Sequence, residues 1–445
     1  MLRASLLVAR LRSAVDSFQP RNAIWTRLFC TNAGEQESPK PAGPAKENET
    51  DLVRHLKTRI MMGGGPISVA EYMKEVLTNP QHGFYMNRDV FGTGGDFITS
   101  PEISQMFGEL VGIWSVCTWQ QMGSPAAINI VEMGPGRGTL MADFLRGTQA
   151  LAPFASALNS VHLVEISPAL RKKQWATLKC QGEIEEVVDG KVGVSQINGC
   201  KIQWHRSLAH VPKEIPEIIV AHEFMDALPV HQFAKTDQGW CERLVDVAEA
   251  DDPSHFRFVL SPKATPAFAI LGSRRLAWMS DAEKAACKQM EVGGQMLVAV
   301  VDISKRVTET RGAALVIDYG KDGCYESSVQ AIRRHKVGDI LNNPGCADLS
   351  AHVDFTAIRK AVEESRSEAV AHGPVEQGWF LRSLGIDARL EALCRDADGA
   401  QVEKLTEGCQ RLIEPAGEDA PGMGEIYKVM AITGPGIGAP VAFEN

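Results

Sequence analysis

The chain has 445 residues, 44% of them hydrophobic, and a formal net charge of -9. That length suggests roughly two or three folding units, and the negative balance argues against nucleic acid as the main partner. No run approaches the ~20 apolar residues of a membrane-spanning helix. The ten cysteines are scattered without a C-x-x-C pair, which speaks against a zinc site or disulfide framework and for a reducing compartment.

Residues 1–30 carry Arg3, Arg10, Arg12, Arg21 and Arg27 against a single acid, Asp16. On a helix these arginines flank an apolar face of Leu2, Leu6, Leu7, Leu11 and Val15, the composition of a mitochondrial transit peptide. The arginines also interrupt the continuous apolar core that a secretory signal needs. Residues 31–50, rich in Glu, Pro, Lys and Ala, read as a disordered linker.

A helix is expected over Asp51–Met62, stopped by the Gly63-Gly64-Gly65-Pro66 run. Ser68-Val69-Ala70-Glu71 has the S-x-x-E spacing of a capping box and opens a second helix that ends near Asn79-Pro80. The stretch from Gly83-Phe84-Tyr85 through Gly92-Thr93-Gly94-Gly95-Asp96-Phe97-Ile98-Thr99-Ser100-Pro101-Glu102 is too glycine-rich for a helix. Its aromatics and hydroxyls suit an ordered binding loop. Ile103–Gln121 reads as one long apolar helix used mainly for core packing. Residues 51–125 thus form an N-terminal helical and loop region ahead of a domain over 126–435.

That domain starts with the β-branched strand Ile128–Met133, followed by Gly134-Pro135-Gly136-Arg137-Gly138 and a helix from Thr139 to Arg146. Strand, glycine turn and helix begin a doubly wound nucleotide-binding unit. No Lys is present to make the turn a phosphate-binding P-loop. Thr139 stands where a dinucleotide fingerprint wants a third small residue. What remains is acidic-x-G-x-G-x-G with Glu132 before the turn, and a carboxylate there suits a cationic ligand and repels a pyrophosphate. The pattern resembles motif I of class I S-adenosylmethionine-dependent methyltransferases, whose cofactor carries a sulfonium and no phosphate.

Further strands are expected at Val161–Glu165, Lys201–Trp204, Glu217–Glu223, Ala313–Tyr319, Glu368–His372 and Ile426–Thr433, in the alternation of an α/β fold. Gln149–Asn159 reads as an inserted loop, and Ser167-Pro168 opens a helix. Pro229 cannot occupy a central strand, so the fourth strand should end near Glu223. Between strands four and five, residues 230–300 form an insertion. It holds a β-hairpin (Trp240–Val247 and His255–Leu260) and a helix over Ser280–Glu291.

Four spaced motifs carry a family resemblance. They are Gly95 to Glu102, Glu132 to Thr139, Val164-Glu165-Ile166-Ser167-Pro168, and His222-Glu223-Phe224-Met225-Asp226-Ala227-Leu228-Pro229-Val230. Together with Ile317-Asp318-Tyr319-Gly320 and Val353-Asp354-Phe355 they make the chain similar to the MidA-like methyltransferase family from about residue 50 to 435. The resemblance implies a class I methyltransferase fold, a Rossmann-like doubly wound sheet, with S-adenosyl-L-methionine as cofactor and residence in the mitochondrial matrix. It also implies symmetric dimethylation of an arginine on a core matrix-arm subunit of respiratory complex I.

On this reading Glu132, Gly134, Gly136 and Gly138 hold the amino acid part of the cofactor. Glu165 takes its ribose hydroxyls, and Tyr85, Thr99, Ser100 and Glu102 close over it. Glu223 and Asp226 are the catalytic carboxylates, because a planar, always charged guanidinium is matched by a carboxylate pair. His222 and His231 flank the same edge, but methyl transfer from a sulfonium needs no metal. Two alternatives stay open: an assembly chaperone that binds the cofactor without essential turnover, and a small-molecule or RNA methyltransferase.

Overall fold

The computed structural model describes residues 49–86, 99–182, 186–252, 254–333, 336–415 and 422–444. The expected transit peptide, the linker up to residue 48 and the glycine-rich part of the binding loop (92–98) lie outside the described residues. Space divides the chain differently from sequence order. One unit comprises Met1–Phe84, Pro229–Gln295 and Tyr325–Ala351; the other comprises Tyr85–Leu228, Met296–Cys324 and His352–Asn445.

In the first unit the helices Asp51–Met62 and Val69–Thr78 belong with the insertion rather than with residues 85–125. Its main sheet is antiparallel. Gly239–Val247 pairs with His231–Thr236, with Phe256–Leu260 and with the short strand Ile67–Ser68. Ser68 caps its helix by accepting from the Glu71 N–H at 3.0 Å. The Glu71 carboxylate goes to Arg59 instead of back to the cap, so only half of the expected box forms. The helix expected over Ser280–Glu291 is a correction: it spans only Asp281–Ala286 and buries no residue. Gln289–Val292 is instead a strand, three of its four residues buried, paired with His231–Thr236.

The second unit is built on a nine-stranded sheet. Its strands are β1 (Ile128–Met133), β2 (Leu158–Val164), β3 (Val192–Val194), β4 (Lys201–His205), β5 (Glu217–His222), β6 (Ala313–Lys321), β7 (Val353–Asp354), β8 (Val370–Glu376) and β9 (Tyr427–Thr433). The order is β8-β9-β6-β5-β1-β2-β4-β3, with the short β7 beside the end of β6. The five central strands β4, β2, β1, β5 and β6 are parallel. Strands β9 and β8 on one side and β3 on the other add antiparallel edges. β1 and β5 are buried at every position, as expected of strands covered on both faces. The chain leaves β1 toward β2 on one side and later returns to β5 on the other. The crevice between the carboxyl ends of β1 and β5 is therefore the switch point where such sheets bind ligands.

Two elements differ from the sequence expectation here. Gln149–Asn159 is not a plain loop, because Ala152–Ala157 is helical and sinks Phe154 against Trp119 and Phe144. The long apolar helix is broken at Ser104, whose backbone is extended and whose hydroxyl accepts from the Met106 N–H. A short helix, Ser100–Ile103, thus precedes the main one, Gln105–Gln121. The main helix buries Met106, Phe107, Leu110, Val111 and Trp114 in the core, as its composition demands.

It also lies close against the helix Thr139–Thr148, and small residues set that approach. A Cβ added to Gly108 would stand 2.7 Å from the Asp143 Cβ and 2.8 Å from the Leu140 carbonyl oxygen. One added to Gly112 would stand 2.8 Å from the Thr148 methyl. At the opposite end of the sheet from the switch point, the buried Arg306 pairs with both oxygens of Glu217 at the start of β5. It also donates to the carbonyls of Leu208, Val211 and Pro212. Losing either partner of such a buried pair strands the other, at ~3–5 kcal/mol.

Gly108→Ala should destabilise the protein by ~1–3 kcal/mol, the cost of overpacking. Gly399→Ala, at an open position with nothing within 4 Å, should change stability by less than ~0.5 kcal/mol. Denaturant melts of the two variants check this; equal stabilities would show that the helix contact yields freely.

Candidate active site

The turn after β1 is shaped by glycine. Gly134, Gly136 and Gly138 have φ of 63°, 51° and 83°, the left-handed region that glycine enters without steric cost. A Cβ at Gly134 would meet the Phe224 ring at 2.9 Å. The glycine is thus required first by the loop that follows β5, a constraint the sequence reading assigned to the ligand. Gly138 is the N-cap of the helix Thr139–Thr148.

Glu132 is buried near the end of β1, and its Oε2 has no hydrogen-bond partner among the described residues. Burial, reinforced by the neighbouring Glu165, pushes its carboxyl up to about 8. Glu165 follows β2 and accepts from the Ser167 N–H at 2.8 Å and from Gln174 at 3.2 Å. Burial pushes it up to about 7 against those hydrogen bonds. Two desolvated carboxyls beside a glycine turn suit a ligand that brings positive charge and hydroxyl donors. S-adenosylmethionine, which carries a sulfonium, an ammonium and ribose hydroxyls, fits that description.

Gln174 is a member of this site that sequence reasoning missed. It is fully buried, donates to the Gly136 carbonyl at 2.7 Å as well as to Glu165, and accepts from the Trp204 indole at 2.9 Å. One amide thereby fixes the glycine turn, the ribose-side acid and β4. The available signal was its place on the otherwise apolar stripe Leu170, Gln174, Trp175 and Leu178.

The residues expected to close over the cofactor divide into two kinds. The Ser100 hydroxyl is fully buried and has no hydrogen-bond partner. Thr99, its neighbour, starts the short helix Ser100–Ile103 without a side-chain cap bond. Glu102 has a different use, accepting from Thr139 and pairing with Arg137 at 3.5 Å, so it ties the short helix to the glycine turn. The Tyr85 carbonyl accepts from Ser167 at 2.6 Å, which brings that segment beside the loop following β2.

Beyond β5 the chain turns sharply. Glu223 adopts φ 46°, a conformation that costs a non-glycine residue ~1–3 kcal/mol and clusters at functional sites. Its N–H donates to the Ile317 carbonyl at 2.9 Å, so β6 holds the strained residue in place. Asp318, three residues before the end of β6, accepts from the N–H groups of Met225 and Asp226 and, through its other oxygen, from that of Tyr319. Burial first, then the charges of Asp226 and Glu223, drives its carboxyl well above the usual range. Tyr427 at the start of β9 packs on Tyr319 at 5.5 Å and hydrogen-bonds Glu223.

The edge therefore brings together Glu223 and Asp226, as the sequence suggested, and adds Asp318 and Tyr427. Asp318 was visible as a strand-end acid. Tyr427 carried no local signal, because an antiparallel strand far along the chain delivers it. His231 belongs to the other unit, where it pairs with Glu242 at 2.7 Å. His222 remains at this edge, buried under the Phe107 ring at 4.8 Å.

The comparisons with known proteins agree with the fold. The model of a family of S-adenosyl-L-methionine-dependent methyltransferases matches residues 110–375. A Bos taurus protein named protein arginine methyltransferase NDUFAF7, mitochondrial, is 42% identical over 396 residues, which cover 87% of this chain and 85% of that protein. The Homo sapiens protein of the same name is 42% identical over 415 residues, covering 92% and 87%. A solved structure from Burkholderia thailandensis, bound to S-adenosyl-homocysteine, superposes with a TM-score of 0.71 at 27% identity. It covers 88% of this chain and 94% of that one.

Because burial raises the Glu132 carboxyl to about 8, binding a cation beside it should release a proton. The affinity for S-adenosylmethionine should then rise with pH between about 6 and 8, by at most about tenfold per unit for one proton, and level off above. Titration calorimetry at several pH values checks this, and Glu132→Gln should flatten the slope. An affinity that falls as pH rises would refute the assignment of Glu132.

Proposed function

The chain belongs to the family of S-adenosyl-L-methionine-dependent methyltransferases, and from that premise we propose that it methylates arginine side chains of a protein in the mitochondrial matrix. The finer reading is symmetric dimethylation of one arginine on a core matrix-arm subunit of respiratory complex I, in support of its assembly. The single observation that carries the arginine reading is the convergence of Glu223, Asp226 and Asp318 beside the glycine turn of β1. Three acids at one buried edge are costly unless a cation joins them. A guanidinium is the cation that stays charged at any physiological pH and pairs with carboxylates in a planar fork. The names of the relatives support both the arginine and the mitochondrial parts of the proposal.

S-adenosylmethionine, when bound, supplies an electrophilic methyl group on a sulfonium. The rest is the work of the chain. Glu132, Glu165 and the turn fixed by Gln174 hold the cofactor at the carboxyl end of β1. Glu223 and Asp226 hold the guanidinium at the neighbouring end of β5, aligning one nitrogen for attack, and such alignment supplies much of the rate in a two-substrate reaction. Asp318 is a positioning residue: its hydrogen bonds fix the backbone of residues 225 and 226. As the new N–C bond forms, one N–H bond breaks, and Glu223 is placed to accept that proton.

Glu223→Gln keeps size and some hydrogen bonding while removing the charge. The variant should bind S-adenosylmethionine as the natural protein does yet lose turnover by roughly a hundredfold, the scale expected for a misaligned reactant. Mass spectrometry of the matrix proteome, with and without the protein, should reveal one arginine that gains two methyl groups only when the active protein is present. A Glu223→Gln protein that methylates normally would refute the catalytic assignment. One that methylates nothing yet supports complex I assembly fully would make the protein a cofactor-binding chaperone.

A further inference from the structure

Methylating a guanidinium leaves a proton behind at each turnover, and the site must pass it on. The surroundings of Glu223 are poorly suited to keep it there. Asp226 follows on the same turn, Asp318 comes from β6, and Tyr427 comes from β9 with a hydrogen bond to Glu223. Among the described residues one nitrogen base faces the carboxylate. His222 Nε2 lies 3.3 Å from Glu223 Oε1. Both atoms are buried, and neither has a hydrogen-bond partner among the described residues.

Two desolvated groups within reach of each other, but not aligned, are what a catalytic pair looks like before its substrate tightens it. Leaving both unsatisfied is costly, and a purely structural role would have recovered that cost with an aligned bond. The Phe107 ring covers the imidazole at 4.8 Å and limits its freedom to turn toward another partner.

The geometry points to His222 as the residue that takes the reaction proton from Glu223. The inference rests on the placement of Glu223 at the reacting nitrogen. In the step, the nitrogen lone pair forms the N–C bond and the C–S pair returns to sulfur. The N–H bond breaks, its proton moves to Glu223 Oε1, and Glu223 passes it to His222 Nε2, leaving a carboxylate and an imidazolium. The imidazolium loses its proton to solvent when the methylated product leaves. His222 acts through Glu223 and is thus a positioning and relay residue rather than one that touches substrate.

The test is a pH profile of the natural protein beside His222→Gln, with calorimetry of S-adenosylmethionine on both. Over a scan from about pH 8 to 5.5 the natural protein should lose kcat toward acid, because a protonated acceptor cannot take the proton. His222→Gln should bind S-adenosylmethionine unchanged and keep its KM for an arginine peptide. Its kcat should fall at least about tenfold, the low end of what proton transfer contributes, and its acid limb should disappear.

A His222→Gln protein with the natural kcat and acid limb overturns the relay. If that variant does not fold, a kcat of the natural protein that is flat over the same pH range overturns it equally. Failure of the underlying reading looks different. A fully active Glu223→Gln removes the premise, whereas an inactive Glu223→Gln beside a normal His222→Gln removes only the relay.

Discussion

The structure depends on the concentration of buried negative charge at the carboxyl ends of three adjacent strands. Glu132 is the penultimate residue of β1, β5 runs into Glu223 and Asp226, and Asp318 lies toward the end of β6. Each of these acids would be cheaper in water, and burial raises Glu132 and Asp318 far from their ordinary range. Protons, backbone N–H groups and a phenol partly offset the cost of such an edge. The parallel sheet makes the arrangement possible, since it delivers all the strand ends to one side.

The scaffold bears the strain at a distance. Arg306 clamps Glu217 at the far end of β5 with a complete set of charged and carbonyl partners. The close helix pair at Gly108 and Gly112 fills the layer that carries Phe107. With β5 fixed at its start and covered along its length, the left-handed Glu223 can be held against its own conformational preference by the single bond to Ile317. Rigid support of this kind keeps a reacting geometry within the tolerance that catalysis allows.

Much of the site was legible in the sequence because its residues punctuate elements. Glu132 precedes three glycines, Glu165 closes an apolar run, and Glu223 falls where Pro229 forbids the strand to continue far. Asp318 was equally visible as an acid at the end of β6, but nothing local told that its carboxylate would bind the backbone of residues 225 and 226. Gln174 and Tyr427 were illegible for a stronger reason. Their roles come from partners on other strands, and a single sequence does not encode which distant strands meet. The same limit explains the division into units, in which helices near residues 51–78 join an insertion that begins at Pro229. Local signals also misjudged Gln289–Val292, where a capped helix stops early and an alternating tetrapeptide pairs as a strand.

The most direct test of the account is a crystal structure of the protein with S-adenosyl-homocysteine and an arginine peptide bound together. The account predicts the ribose on Glu165, the amino acid part of the cofactor against the turn of Gly134 to Gly138, and the guanidinium within hydrogen-bond distance of Glu223 and Asp226. A peptide whose guanidinium lies away from both carboxylates, with the cofactor in place, would contradict it.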